Sequence, residues 1–450
     1  MNMDEFFYSG QGNKWKRIGI QKRSGFCIPL FSVHSSTSTG IGDFNDIGHL
    51  VALCKTINSS IIQLLPLNIT GPDNCPYNAI SSFAIDPVYI SLSLFSYARF
   101  KCPNSLISEL RLHFPAGKNN RCNYAIRKQK LIFLHEVFNK NLDTIMSDNQ
   151  FALFAKKNKY WLDEFTIYRV LKSIHNDAAW YEWEDCFAKA QQEKIEYICR
   201  IYQKEILFEK WIQYVCYQQL ISVKHYANKQ GILLMGDLPV LVSKDSADVW
   251  AKSELFDLHY SAGAPPDMYC AYGQRWGMPI QNWDAVRSSN FRYLIEKLTY
   301  MDHFFDMLRI DHVIGLFRIW AIPVEEPIEN QGINGVFIPS DEKIWNLQGE
   351  EILSVMNQHS SCLLCAEDLG IIPFTCPITL KKLGIPGYEV QRWKKHYGTD
   401  YSFIPCAEYR QLAIAALSTH DTSFWIEWWK HQAGTIEKEL FELKCRVLNL

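Results

Sequence analysis

The stretch Asp306–His312, DMLRIDH, decides the fold. It is an apolar run that ends on charged residues. In a strand successive side chains alternate between faces, so Arg309 and Asp311 share one face while Ile310 turns to the other, where helices would pack. Working outward, six further runs have the same form: Phe26–Ser32, Ser60–Leu67, Ile232–Leu238, Cys362–Asp368, Gly387–Trp393 and Ile414–Asp421. Near-continuous apolar runs of this kind are strands buried on both faces, the habit of parallel sheets. Helical stretches separate them, which makes βα units.

Four of the seven runs carry GD, DH, ED or HD at or next to their C-terminal ends. Barrels of βα units carry their chemistry at that end. The pattern predicts an α/β fold, a TIM-type (β/α)8 barrel with helical insertion subdomains. Residues 1–94 supply the first βα units, 95–230 a helical insertion, and 231–450 the remaining units. Helical patterns run over Lys130–Asn141, Gln150–Ile174 and Trp180–Asn228. The last part contains a loop at 262–283 and a Pro-, Gly- and acid-rich excursion at 323–349.

Composition sets the outer bounds. Apolar residues make up 48% of the 450, enough for a large core, and the formal charge of -2 argues against nucleic acid as a partner. No run approaches 18 apolar residues, so no membrane span is predicted. The N-terminal stretch has acids at Asp4 and Glu5 and lacks the apolar core of a signal peptide. Fourteen scattered cysteines in a chain of this size read as free thiols of a reducing cytoplasm. Aromatics reach 14%, most of them core packing, with some free to stack on the apolar face of a pyranose ring.

Three motifs carry chemistry. In LRIDH, Arg309 holds the carboxylate of Asp311 ionised, and an ionised Asp in a cleft can attack an anomeric carbon. Alone, the pair would be an ordinary ion pair. In CLLCAEDLG, Glu367 ends an apolar strand, where partial burial raises its pKa and keeps it protonated for a leaving oxygen. Asp368 faces the other way and reads as structural. In STHDTS, Asp421 follows His420 and could hold sugar hydroxyls, or simply cap a helix. Together the three carboxylates end three strands in chain order, and retaining glycosidases need a nucleophile and an acid about 5–5.5 Å apart.

R-I-D-H, A-E-D-L-G and T-H-D in this order resemble glycoside hydrolase family 77, the amylomaltases or disproportionating enzymes. The most specific stretch is Ala262–Trp283, AGAPPDMYCAYGQRWGMPIQNW, with support from Gly236–Trp250 and Cys75–Ile90. The resemblance implies a 4-α-glucanotransferase that moves a segment of an α-1,4-glucan to an acceptor sugar. Asp311 would be nucleophile, Glu367 acid/base and Asp421 transition-state stabiliser. Tyr77, Asp237, Arg309 and His420 would shape the site, with Asp267, Gln274 and Trp276 on the loop covering it. The partners implied are malto-oligosaccharides, maltose or a glycogen-like glucan; no cofactor and no metal are called for. A hydrolase on the same machinery and a catalytically silent glycan-binding protein are the alternatives.

The N-terminal third leans to the plant cytosolic, maltose-utilising branch, whose starch-binding modules and large insertion are not in this sequence. The family continues past T-H-D, whereas this chain ends at Leu450. The expectation is a barrel without its last strand and of poor stability, against which a cooperative high-temperature melt would count. Cys362 and Cys365 lie on opposite strand faces and read as packing. Gly40-x-Gly42 lacks the third glycine of a dinucleotide loop. His303 and His312 are not expected to converge on a metal, and Ser35–Thr39 reads as a solvated loop.

Overall fold

The computed structural model describes residues 3–97, 100–115, 122–267, 270–434, 438 and 442. Its strands are β1 (Gly25–Ile28), β2 (Ile61–Leu64), β3 (Ser96–Tyr97), β4 (Phe100–Lys101), β5 (Leu233–Leu238), β6 (Phe256–Ala264), β7 (Gln274–Gln281), β8 (Met307–Ile310), β9 (Ile319–Pro323), β10 (Val336–Ile338), β11 (Leu363–Ala366), β12 (Gly387–Val390) and β13 (Ala413–Ala416). Each of the seven predicted runs overlaps one of these strands, which is shorter than the run; β1 and β13 begin one residue before theirs. Five pair in parallel in the order β1-β2-β5-β8-β11, and β12 pairs in parallel with β13. Among the described residues neither β1 nor β13 has a second strand beside it.

Alternation along these strands divides two interiors. Leu234, Leu238, Leu308, Ile310, Leu364 and Ala366 join the large core shared with the helices. The residues between them, Met235, Met307, Leu363 and Cys365, form a separate cluster with Ile18, and Ile414 of β13 packs against it. Cys362 belongs to the first interior and Cys365 to the second, as expected for positions three apart in a strand.

The sheet curls. On a flat sheet β2 and β12, with β5, β8 and β11 between them, would stand roughly 19 Å apart at the usual strand spacing. Instead the Tyr388 hydroxyl of β12 donates to Gln63 of β2 at 3.3 Å. The floor of the curl is plugged from the N-terminal end. Gln11 donates to the carbonyls of Leu364 and Gly384 and accepts from the Leu364 N–H, while Trp15 donates to Gly384.

Helices Asn104–His113, Ile126–Lys140, Asn149–Lys157, Lys159–Ile174, Gln192–Ile201 and Gln203–Lys229 lie between β2 and β5. Two of the predicted helical stretches are broken. The break at Asn158 has a local cause: its amide donates to the Phe154 carbonyl, a side chain competing with the backbone ladder. The Ser35–Thr39 stretch is also not the solvated loop expected. Ser38 and Thr39 are buried, and Ser35 and Ser38 donate to Asp46, whose carboxylate accepts from the Asp43 N–H in the capping box of helix Phe44–Thr56.

The stretch read as a loop at 262–283 is largely a β-hairpin. β6 and β7 pair antiparallel and form, with β9 and β10, a four-stranded sheet in the order β10-β9-β6-β7. Its prolines had argued for irregular chain. Pro279 is tolerated because β7 is an edge strand, where a missing N–H costs no ladder bond.

Candidate active site

Asp311 and Glu367 each follow the last paired residue of their strands, Ile310 of β8 and Ala366 of β11. The ladder continues past both ends: the Asp311 N–H donates to Leu238, and the Glu367 N–H to Ile310. Register therefore puts the two carboxylates side by side on neighbouring parallel strands, about 4.8 Å apart at the backbone.

Arg309 joins them. Its side chain, 2% exposed, meets three carboxylates: Asp237 at 2.7 Å, Asp311 at 2.9 Å and Glu367 at 2.8 Å. β5 pairs with β8 so that Asp237 lies opposite Arg309. The Tyr77 hydroxyl donates to Asp237 at 2.6 Å and lies 2.6 Å from His420 Nε2, and the Tyr77 and His420 rings stack at 5.5 Å. Asp421 Oδ2 is 3.4 Å from His420 Nε2, and its side chain is 59% exposed. It does not end a strand: β13 stops at Ala416, and His420 and Asp421 sit in the turn beyond.

One cation among three carboxylates leaves an excess of negative charge. Burial, reinforced by the neighbouring Glu367 carboxylate, pushes the Asp311 pKa well up despite Arg309. Glu367 is pulled the other way, its burial outweighed by Arg309 and by the His312 N–H, which donates to Oε2 at 2.7 Å. Burial likewise raises Asp237 against the pull of Arg309. These directions reverse the sequence expectation of an ionised Asp311 beside a protonated Glu367. The reason is the donor count: Glu367 has two donors of its own, while Asp311 shares one Arg309 nitrogen with Asp237.

His312 was considered from sequence as a metal ligand alone. Its backbone is left-handed (φ 43, ψ 52), and its ring meets Trp276 of β7 edge to face at 4.9 Å. Burial lowers its pKa to about 4, so the ring is neutral at neutral pH. His303 lies elsewhere, against Tyr217 and Tyr300. Trp276 Nε1 donates to Gln274 at 3.0 Å, and Asp267, exposed at the hairpin tip, accepts from the Cys270 N–H at 2.7 Å.

Asp368 is the buttress read from the sequence. It accepts from the Tyr388 N–H at 2.7 Å and from Arg410 at 2.6 Å, tying β11 to β12. Arg410 also bridges to Glu389, which Lys394 meets at 2.7 Å. Among the described residues no three His, Cys, Asp or Glu side chains group as metal ligands.

Carboxylates clustered around one arginine at the C-terminal strand ends, under an aromatic hairpin, define a carbohydrate-active barrel. Residues 28–446 match the family model described as 4-alpha-glucanotransferase, and the chain belongs to that family, glycoside hydrolase family 77. It is 37% identical over 424 residues to a 4-alpha-glucanotransferase of Chlamydia pneumoniae, covering 94% of this chain and 78% of the relative. It is 31% identical to 4-alpha-glucanotransferase DPE2 of Oryza sativa subsp. japonica, over 74% of this chain and 35% of that one. In structure it resembles the amylomaltase from Streptococcus agalactiae in complex with acarbose, with a TM-score of 0.78 at 24% identity, covering 94% of this chain and 84% of that one. That likeness speaks for the fold.

Proposed function

We propose that this 4-alpha-glucanotransferase works by retaining double displacement, with Asp311 as nucleophile and Glu367 as acid/base. The observation that carries the reading is Arg309, bonded at once to Asp237, Asp311 and Glu367 at the ends of three adjacent strands. In the first half-reaction an Asp311 oxygen bonds to the anomeric carbon as the glycosidic C–O bond breaks, and Glu367 protonates the departing oxygen. In the second, an acceptor hydroxyl gives its proton back to Glu367 and displaces Asp311. No other reactant is consumed. The first step uses the form of the pair in which Glu367 carries the proton and Asp311 is ionised, both carboxyls resting on the same guanidinium. Asp421 and His420 hold ring hydroxyls as the sugar flattens, and Tyr77 lines the cleft beside them.

The hairpin decides between transfer and hydrolysis by keeping water from the covalent intermediate. Gly263 of β6 faces Gln274 of β7 so closely that an added Cβ would stand 2.0 Å from the Gln274 carbonyl. Gly263→Ala should spread the hairpin beneath Gln274 and Trp276. The expected result is a lower ratio of transfer to hydrolysis products, with stability reduced by about 1–3 kcal/mol. An unchanged ratio would detach the hairpin from water exclusion.

The substrates we assign are malto-oligosaccharides, with maltose as donor and a glycogen- or starch-like glucan as acceptor in the maltose-utilising case. The thirteen cysteines among the described residues are free thiols, which supports a cytoplasmic location, and no helix among those residues is long and apolar enough to cross a membrane. The test is a product ladder from maltotriose alone and from maltose plus glycogen. Longer oligomers appearing with glucose mean transfer, and the maltose arm tests the donor. Glucose and maltose without longer products would mean hydrolysis, and no products a silent glycan-binding protein.

A further inference from the structure

His312 sits between the two parts of the site that must act together. On one side its ring meets Trp276 of the covering hairpin, ring planes 87° apart. On the other its N–H holds Glu367 Oε2 at 2.7 Å. The ring's seat is tight: a Cβ at Gly315 would come within 2.8 Å of His312 Cδ2. A left-handed backbone is costly for a residue with a β-carbon and persists where the surroundings impose it. Here the ring sits between Trp276 and Gly315 while the N–H of the same residue is aimed at Glu367.

We propose that His312 is a positioning residue that couples the hairpin over the site to the acid/base carboxylate. The inference rests on the roles given above to Asp311 and Glu367. With the hairpin down, Trp276 walls the ring in, and Glu367 is oriented and held in its ionised form between turnovers. With the hairpin lifted, the ring loses that wall and Glu367 its aim. Burial keeps the ring itself neutral at neutral pH, so the coupling runs through its packing and its backbone N–H. The other charged or titratable groups facing Glu367 are Arg309 and Asp311 from β8, Asp237 beyond Arg309 on β5, and His420 with Asp421 from the turn after β13.

The test uses the whole chain and four variants: His312→Gly, His312→Asn, Trp276→Ala and the His312→Gly/Trp276→Ala double. Glycine adopts the left-handed backbone freely and asparagine tolerates it, so both keep the N–H while removing the ring. Thermal melts show that each folds. Both His312 variants should lose about 10- to 100-fold in kcat with KM changed little, as for a misaimed catalytic group. The alkaline limb of kcat/KM should move up by about one pH unit, because a loosened donor no longer favours ionised Glu367. The double variant should be no slower than the slower single one. Losses that multiply, or an unmoved limb, would overturn the coupling. Asp311→Asn serves as the blank: a wild-type chain no more active than this blank would instead sink the glucanotransferase reading itself.

Discussion

Asp311→Asn is expected to lower transfer from maltotriose by about four orders of magnitude or more, since an amide cannot form the glycosyl ester through which both half-reactions pass. The same substitution should leave the protein at least as stable as the wild type. Asp311 is a carboxyl raised by burial and by Glu367, so its ionised form is disfavoured in the folded state. A group of that kind contributes stability below its unfolded pKa and loses it as pH rises through its folded value. Asparagine has nothing to lose, so the melting midpoint of the variant should exceed the wild type's by more at pH 8 than at pH 5. Retained activity would remove Asp311 from the mechanism, and an inactive variant that melts far below the wild type would make the loss one of folding.

Arg309→Met should have the largest effect on stability. It leaves Asp237, with its side chain fully buried, and the Asp311–Glu367 pair without their shared cation. Removing one partner of a buried ion pair costs about 3–5 kcal/mol, because the remaining charge is uncompensated. Asp237 and Asp311 already sit above the ordinary aspartate value, and losing Arg309 moves them further up. The variant's stability is then fully present below about pH 4, the unfolded value, and falls as pH rises through the folded ones. Urea unfolding at pH 5 and pH 8 should show a gap from the wild type that widens with pH. A gap of equal size at both would mean that Arg309 stabilises by packing rather than by charge.

The fold was legible because parallel strands buried on both faces leave unbroken apolar runs, and DMLRIDH and CLLCAED announce both the strand and the charged residues beyond it. Alternation alone assigned Arg309 to one face and Ile310 to the other. The antiparallel sheet escaped because β6 and β7, FDLHYSAGA and QRWGMPIQ, mix polar, Gly and Pro positions that read as loop. β6 pairs locally with β7, but its other neighbour, β9, comes from farther along the chain. The residues proposed for the site were named from motifs, but the directions in which burial and neighbours shift their carboxyls were not. Which carboxylate carries the proton depends on donors from elsewhere in the chain, above all the His312 N–H, whose aim follows from a left-handed turn that no local pattern specifies. Asp421 was placed on a strand end because STHD continues an apolar run, yet the strand stops at Ala416 and a turn brings the residue to the site.

The plug at the barrel floor has a consequence for synthesis. The Gln11 side chain finds its partners in Leu364 and Gly384, which emerge from the ribosome some 350 residues later. At 5–20 residues per second that is a wait of roughly 20–70 s. Throughout it the N-terminal helices Met3–Tyr8 and Gly12–Ile18 have no floor to close, and the inner faces of β2, β5 and β8 stand open beneath the growing sheet. The earliest part of the chain to be made is therefore among the last to find its place, and the interval is the stretch of the protein's life in which a chaperone has most to protect.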